Sequence, residues 1–179
     1  LHTITKDVPS SVDAWLALSG VALRQGALTE SISALEQAAL QDTIQDSSTD
    51  PLGALWAPTI DPRPDREALQ SAIMAAPELS QRQNSLLGIE AWLLGDVEEA
   101  EALLRTARAT EPPSAAVLSA LGQLLLGQEA FSDAARTLGE SVRMEPGRPA
   151  IVAMYSYAMA AAGERNTADR LSDLYKSTD

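Results

Sequence analysis

Two stretches of this sequence carry the same pattern of small and apolar residues. They are residues 84–112, NSLLGIEAWLLGDVEEAEALLRTARATEP, and residues 118–146, LSALGQLLLGQEAFSDAARTLGESVRMEP. Each position of the second copy lies 34 residues after its counterpart, as Gly122 does after Gly88. A unit of this length buries its apolar face only when the next unit stacks on it, so the two copies predict a stacked array.

Within one copy the pattern predicts two closely packed helices. Leu87, Gly88 and Ala91 recur at helical spacing and therefore lie on one face of the first helix. Gly88 has no side chain, so a second helix can approach closely. That second helix carries a matching stripe of small residues around Leu104, which we expect to fill the gap between the two helices.

The ends of these helices carry their own signals. Gly95 is a typical helix terminator, and Asp96 with Glu99 three residues later predicts a capping arrangement at the next helix. Pro112 and Pro113 stop that helix. The signals predict two helix pairs, about 83–94 with 97–110 and about 115–127 with 131–144.

The spacing resembles the W-x2-L-G-x2-Y…A-x3-F…P signature of the tetratricopeptide repeat. This resemblance implies an all-α, right-handed superhelical solenoid of antiparallel helix hairpins, and a function in protein binding. The whole chain, residues 1–179, is interpreted as one such solenoid. Its predicted units are 12–45, a degenerate repeat with a Pro-rich linker at 46–80, then 81–114, 115–148 and a terminal unit at 149–179.

The degenerate unit is inferred from the spacing of equivalent residues in the repeats on either side of it. Four prolines between residues 51 and 64 exclude a regular helix there. Gly26 and Gly95, which take the same place in their units, are nevertheless 69 residues apart, close to two repeats. We therefore expect a first helix that is shortened or lost and a second helix over about 64–76. Its expected apolar face consists of Ala68, Ala72 and Ala75. The alternative is a loop followed by a lone helix.

Composition narrows the classes of partner. The formal net charge is −12, which disfavours nucleic acid and anionic membrane surfaces. It favours a basic partner, or simply solubility. The chain has no Cys, which excludes disulfides and Cys-based metal chemistry and fits either cytoplasm or periplasm. No apolar run reaches the length of about 20 residues that a membrane span needs. The first residue is Leu1, so we expect a processed form or an excised piece.

Catalytic and metal-binding patterns are missing from the sequence. His2 is the only His and lies near the terminus, and no Gly-rich phosphate loop occurs. Asp42, Asp46 and Asp50 lack the Gly and the closing Glu of a calcium loop and are interpreted as a solvated linker. We therefore predict no enzyme activity, no catalytic residue, no metal and no cofactor.

In the family that the sequence resembles, the first helix of each hairpin lines the concave face of the superhelix. The residues predicted to contact a partner there are Leu16, Leu23, Ser85, Ile89, Trp92, Gln123, Leu126 and Tyr157. Chaperone-binding members use Lys and Asn at such positions to hold a C-terminal carboxylate, and this chain lacks that clamp. Its mainly apolar stripe favours a helix in a groove. Alternatively, Ile89 and Trp92 are core, covered by the Pro-rich segment with Leu52, Leu55 and Trp56.

The predicted function is a non-catalytic protein–protein interaction module or scaffold. It would bind an amphipathic helix or extended peptide, with basic flanks, during assembly of a bacterial complex. The alternative is a structural spacer or a self-associating segment of a larger envelope or secretion protein. Homo-oligomers would then form through the solenoid ends, where Leu171, Leu174 and Tyr175 lie.

Overall fold

The computed structural model describes residues 12–41, 64–164 and 168. Within these residues the chain forms eight α-helices and one 3-10 turn, and no strand, so the predicted all-α fold is confirmed. The helices are α1 (Val12–Arg24), α2 (Leu28–Ala39), α3 (Arg66–Ala75), α4 (Gln83–Leu93), α5 (Val97–Thr110), α6 (Ala115–Gly127), α7 (Phe131–Met144) and α8 (Pro149–Ala161); the 3-10 turn is Pro77–Leu79.

The helices pack in consecutive pairs. Helix α1 packs on α2, α4 on α5, and α6 on α7, and α8 packs on α7. The two helix pairs predicted from the repeated pattern are confirmed, with every end within one residue of its predicted position. The repeat boundaries themselves stay a prediction.

The close approach of paired helices depends on two glycines. A Cβ placed on Gly88 would lie 2.9 Å from Cγ of Leu104, and one on Gly122 would lie 2.5 Å from Cγ of Leu138. Both leucines are fully buried. Leu104 therefore fills the space beside Gly88, as expected, and the second repeat uses the same arrangement.

Left-handed backbone follows α1, α4 and α8. Gly26, Gly95 and Gly163 have φ values of +74°, +88° and +96°. Such values suit glycine because it has no Cβ. In the hairpin α6–α7 the equivalent residue is Glu129, which takes φ +58° despite its side chain.

The side-chain capping predicted for the start of α5 is wrong. Asp96 stands at the N-cap position, but its side chain makes no capping hydrogen bond. Its Oδ2 instead accepts a hydrogen bond from Nη1 of Arg66 at 3.2 Å, and Glu99 forms an ion pair with the same guanidinium. Because Arg66 offers several donors at once, both carboxylates turn toward it.

Helix α3 lies where a helix over about 64–76 is expected, but the predicted alanine face is wrong. Its place in a degenerate repeat stays a prediction. Its buried residues are Leu69 and Ile73, both with no exposed surface, because larger side chains gain more from burial. Asp65 caps the helix by accepting a hydrogen bond from the Ala68 backbone N–H at 2.8 Å.

Several predictions fall outside the described residues. These concern His2, Asp42, Asp46, Asp50, Leu52, Leu55, Trp56, Leu171, Leu174 and Tyr175. In the part of the chain that the structure describes, no helix is long and apolar enough to cross a membrane.

Candidate partner-binding face

The first helices of the repeats, α4, α6 and α8, present equivalent positions at 34-residue intervals. We call this set the concave face, after the superhelix that the repeat implies. It consists of Ser85, Ile89 and Trp92 on α4, Ser119, Gln123 and Leu126 on α6, and Ala153, Tyr157 and Ala160 on α8.

Helix α2 lies across the part of this face that α4 and α6 form. Ser85, Ile89, Ser119, Gln123 and Leu126 are all buried, and none exposes more than 6% of its surface. Helix α2 therefore packs on two of the three helices that carry the concave face.

Gln123 holds the C-terminal end of α2. Its Nε2 lies 3.3 Å from the carbonyl oxygen of Ala39 and 3.1 Å from that of Gln41, and it also contacts Oγ of Ser119 at 3.2 Å. The last carbonyls of a helix have no partner within the helix. The buried Gln123 amide contacts the carbonyl of Ala39, the last residue of α2, and that of Gln41 two residues beyond it, so Gln123 binds the backbone at the end of the helix.

Two arginines add polar contacts at the edges of the face. Arg82, just before α4, forms an ion pair with Glu36 of α2. Nη2 of Arg148, just before α8, donates to Oε1 of Gln37 at 2.8 Å. All four side chains are partly exposed, so each contact contributes modestly to stability and chiefly fixes the position of α2.

The part of the face on α8 remains open. Tyr157 exposes 59% of its surface, and Ala153 is also exposed. The Tyr157 ring packs edge-on against Phe131, with 6.4 Å between ring centroids. An aromatic ring held in place beside open surface can form an interface without losing much conformational freedom.

The other predicted contact residues lie deeper. Trp92 is half-buried against the core, and its indole N–H is buried and has no hydrogen-bond partner among the described residues. Leu16 is buried and Leu23 is half-buried on α1, which packs mainly on α2.

The structure does not bring α1 into line with α4, α6 and α8. The role of all eight residues in partner binding stays a prediction. A partner reaches the buried ones only if the elements packed on them move.

A separate cluster of charges ties α3 to the hairpin α4–α5. Glu90 has no exposed surface; its Oε1 lies 3.3 Å from Nε of Arg66, and Nε2 of Gln70 donates to its Oε2 at 3.2 Å. Burial raises the pKa of the Glu90 carboxyl, while the Gln70 hydrogen bond and the Arg66 charge oppose the shift. The hydrogen bond to Asp96 and the charge of Glu90 raise the pKa of Arg66. These contacts hold α3 against α4 and α5.

A small cavity of about 200 Å³ lies beside the loop between α5 and α6, and its charged groups are already engaged. Arg108 pairs with Glu140 at 2.9 Å. Glu111 accepts hydrogen bonds from the backbone N–H groups of Asn84 and Ser85 at 2.8 and 2.9 Å, which caps α4. Among the described residues, no group of three or more His, Cys, Asp or Glu side chains could hold a metal ion.

Comparison with known proteins agrees with the repeated hairpins. One tetratricopeptide repeat model matches residues 91–156, and a second matches residues 1–48, so the two cover more than half of the chain. No curated protein sequence matches the chain at a significant level. Repeats of this kind are generally protein–protein interaction modules that present an extended concave surface. With its paired helices, its 34-residue register and these matches, the chain belongs to the tetratricopeptide repeat family.

Proposed function

We propose that this chain is a non-catalytic scaffold that holds an amphipathic helix or an extended peptide of a partner protein on its concave face. The observation that supports this proposal is the seating of α2, because a surface that takes one helix in an apolar groove has the shape and chemistry to take another. The Ala-rich, Cys-free composition supports a place in the assembly of a bacterial complex.

The first contact would form on the open α8 part of the face. Tyr157 offers an exposed aromatic ring beside Ala153, and tyrosines are frequent at the centres of interfaces. The net charge of −12 favours Lys or Arg residues flanking the bound segment and would make association slower at high salt.

A structural spacer, or a self-associating segment of a larger envelope or secretion protein, is the second candidate. It is favoured by the burial of five concave-face residues on α4 and α6, which leaves less surface for a partner. The two candidates differ in whether Tyr157 contributes to binding.

The experiment is a selection of displayed helical peptides against the full chain, followed by titration of the selected peptides. Tyr157→Ala should weaken their binding about tenfold, corresponding to a hot-spot loss of about 1.4 kcal/mol. Met144→Ala is the matched control, because Met144 is an exposed apolar residue on α7, outside the concave face. If no peptide is selected, or if both variants bind equally well, the spacer becomes the better account.

A further inference from the structure

The face of α2 that docks on α4 and α6 is not the face that pairs it with α1. Ser31, Leu35 and Ala38 occupy the hairpin stripe, as Ala100, Leu104 and Ala107 do in α5. Ile32, Ala39 and Leu40 lie beside that stripe and are nevertheless buried, with 5%, 0% and 5% exposure. Their burial therefore reflects docking on other helices.

The later hairpins carry different residues at these positions. The counterparts in α5 are Glu101, Arg108 and Ala109, and those in α7 are Ala135, Val142 and Arg143. All six are exposed or half-buried in the structure. All three positions are apolar and buried in the first hairpin, whereas α5 carries Glu101 and Arg108 and α7 carries Arg143 among them.

We infer that α2 is an internal ligand of the concave face, and that a partner helix of the same chemistry competes with it for α4 and α6. This inference rests on the proposed function and specifies the partner. The partner helix would present apolar residues at the positions of Ile32, Ala39 and Leu40. An acid in the place of Glu36 would pair with Arg82.

Gln123 would also recognise the C-terminal end of the partner helix. Gln123 contacts backbone carbonyls at the end of α2, so it suits a helix whose last carbonyls reach the middle of α6. A helix that continues past this point would use those carbonyls internally and leave the buried Gln123 amide without these partners. The partner helix should therefore end at Gln123.

Occupation by α2 lowers the affinity for any partner, since the apparent dissociation constant rises in inverse proportion to the fraction of open molecules. Weakening the docking of α2 should accordingly strengthen partner binding. This increase in partner affinity distinguishes an internal ligand from an ordinary structural helix. Loss of a structural helix would weaken binding by disturbing the fold.

The probe is a synthetic peptide of residues 28–41, added to the full chain. Because the chain has no Cys, spin labels can be placed at Ser33→Cys and Thr110→Cys, two exposed positions on α2 and α5. Excess peptide should convert part of the distance distribution to a longer population as the hairpin leaves the face. A distribution that peptide does not change would overturn the inference.

Variants give a second readout by titration of the same peptide. Ile32→Glu should increase its affinity about tenfold or more by releasing α2. In that background Gln123→Ala should reduce the affinity, whereas Gln128→Ala should not, since Gln128 donates to Glu101 rather than to α2. If Ile32→Glu unfolds the chain, the label distances measured with Ile32 in place decide whether the peptide displaces α2.

The two proposals fail in different ways. If selected peptides bind through Tyr157 and the label distances stay constant, the proposed function stands and the internal-ligand inference is wrong. If neither the selected peptides nor the 28–41 peptide binds, the proposed function fails as well.

Discussion

Leu138 occupies the space that a side chain on Gly122 would need: a Cβ there would lie 2.5 Å from Cγ and 2.6 Å from Cδ2 of the leucine. Real Cβ atoms do not approach other atoms so closely, and Leu138 is fully buried and has little room to move. The same relationship, slightly looser, joins Gly88 to Leu104. The repeated glycine is thus a packing requirement of the hairpins α4–α5 and α6–α7.

Gly122→Ala should lower the free energy of unfolding by about 1–3 kcal/mol, because the added methyl group overpacks the contact with Leu138. Gly127→Ala is the matched control on the same helix. Nothing lies within 4 Å of a Cβ at Gly127, so that change should be neutral or slightly stabilising. Urea unfolding compares the two, and equal effects would contradict the proposed close approach of α6 and α7.

Glu129→Gly should raise stability by up to about 1 kcal/mol, because Glu129 has a positive φ that glycine adopts without strain. The reciprocal change, Gly95→Ala, should destabilise the equivalent turn by about 1 kcal/mol. Thermal unfolding of both variants checks the pair. A stabilising Gly95→Ala would show that left-handed backbone is not needed at this turn.

Glu90→Gln should alter how stability depends on pH. The folded-state pKa of Glu90 is raised, so between the unfolded value of about 4.3 and the raised value the folded chain binds the proton more tightly. As pH rises through that window and the proton is lost, the contribution of Glu90 to the free energy of unfolding therefore falls.

The stability of Glu90→Gln relative to the unsubstituted chain should increase from about pH 4 to pH 7, measured by urea unfolding at several pH values. Glu99→Gln, which removes an exposed partner of the same Arg66, is the control. A constant difference across this range would mean that the Glu90 carboxyl is not desolvated.

Trp92→Ala should reduce the free energy of unfolding by about 3 kcal/mol or more, because the ring packs against the core. Trp92→Phe keeps an aromatic ring and removes the buried indole N–H that has no hydrogen-bond partner among the described residues. It should cost less than about 1 kcal/mol, since no hydrogen bond is lost. An unchanged unfolding midpoint for Trp92→Ala would place the ring on the surface, as the partner-binding prediction requires.

Local signals in the sequence predicted the hairpins well. The 34-residue spacing, Gly95 and the prolines set the helix ends, because backbone conformation at those residues depends on their own chemistry. The docking of α2 was not predicted, since Gln41 and Gln123 are 82 residues apart and no local rule relates them.

One sequence signal did point to this docking. Ile32 and Ala39 stand where the later hairpin α5 carries Glu101 and Arg108, and aligning these two hairpins position by position would have marked this face of α2 as more apolar. The role of Asp96 could not be predicted in the same way. Its carboxylate pairs with Arg66, which lies 30 residues earlier on another helix.

Helix α2 packs on α6, whose part of the concave face is buried, and leaves the part on α8 open. In this Cys-free chain, Ser119→Cys and Ala153→Cys place single thiols at the same register position of successive repeats, one buried and one exposed. The account predicts that a thiol reagent modifies Cys at position 119 at least about 100-fold more slowly than at position 153, and that Ile32→Glu removes most of this difference. Equal rates at the two positions in the unsubstituted background would contradict it.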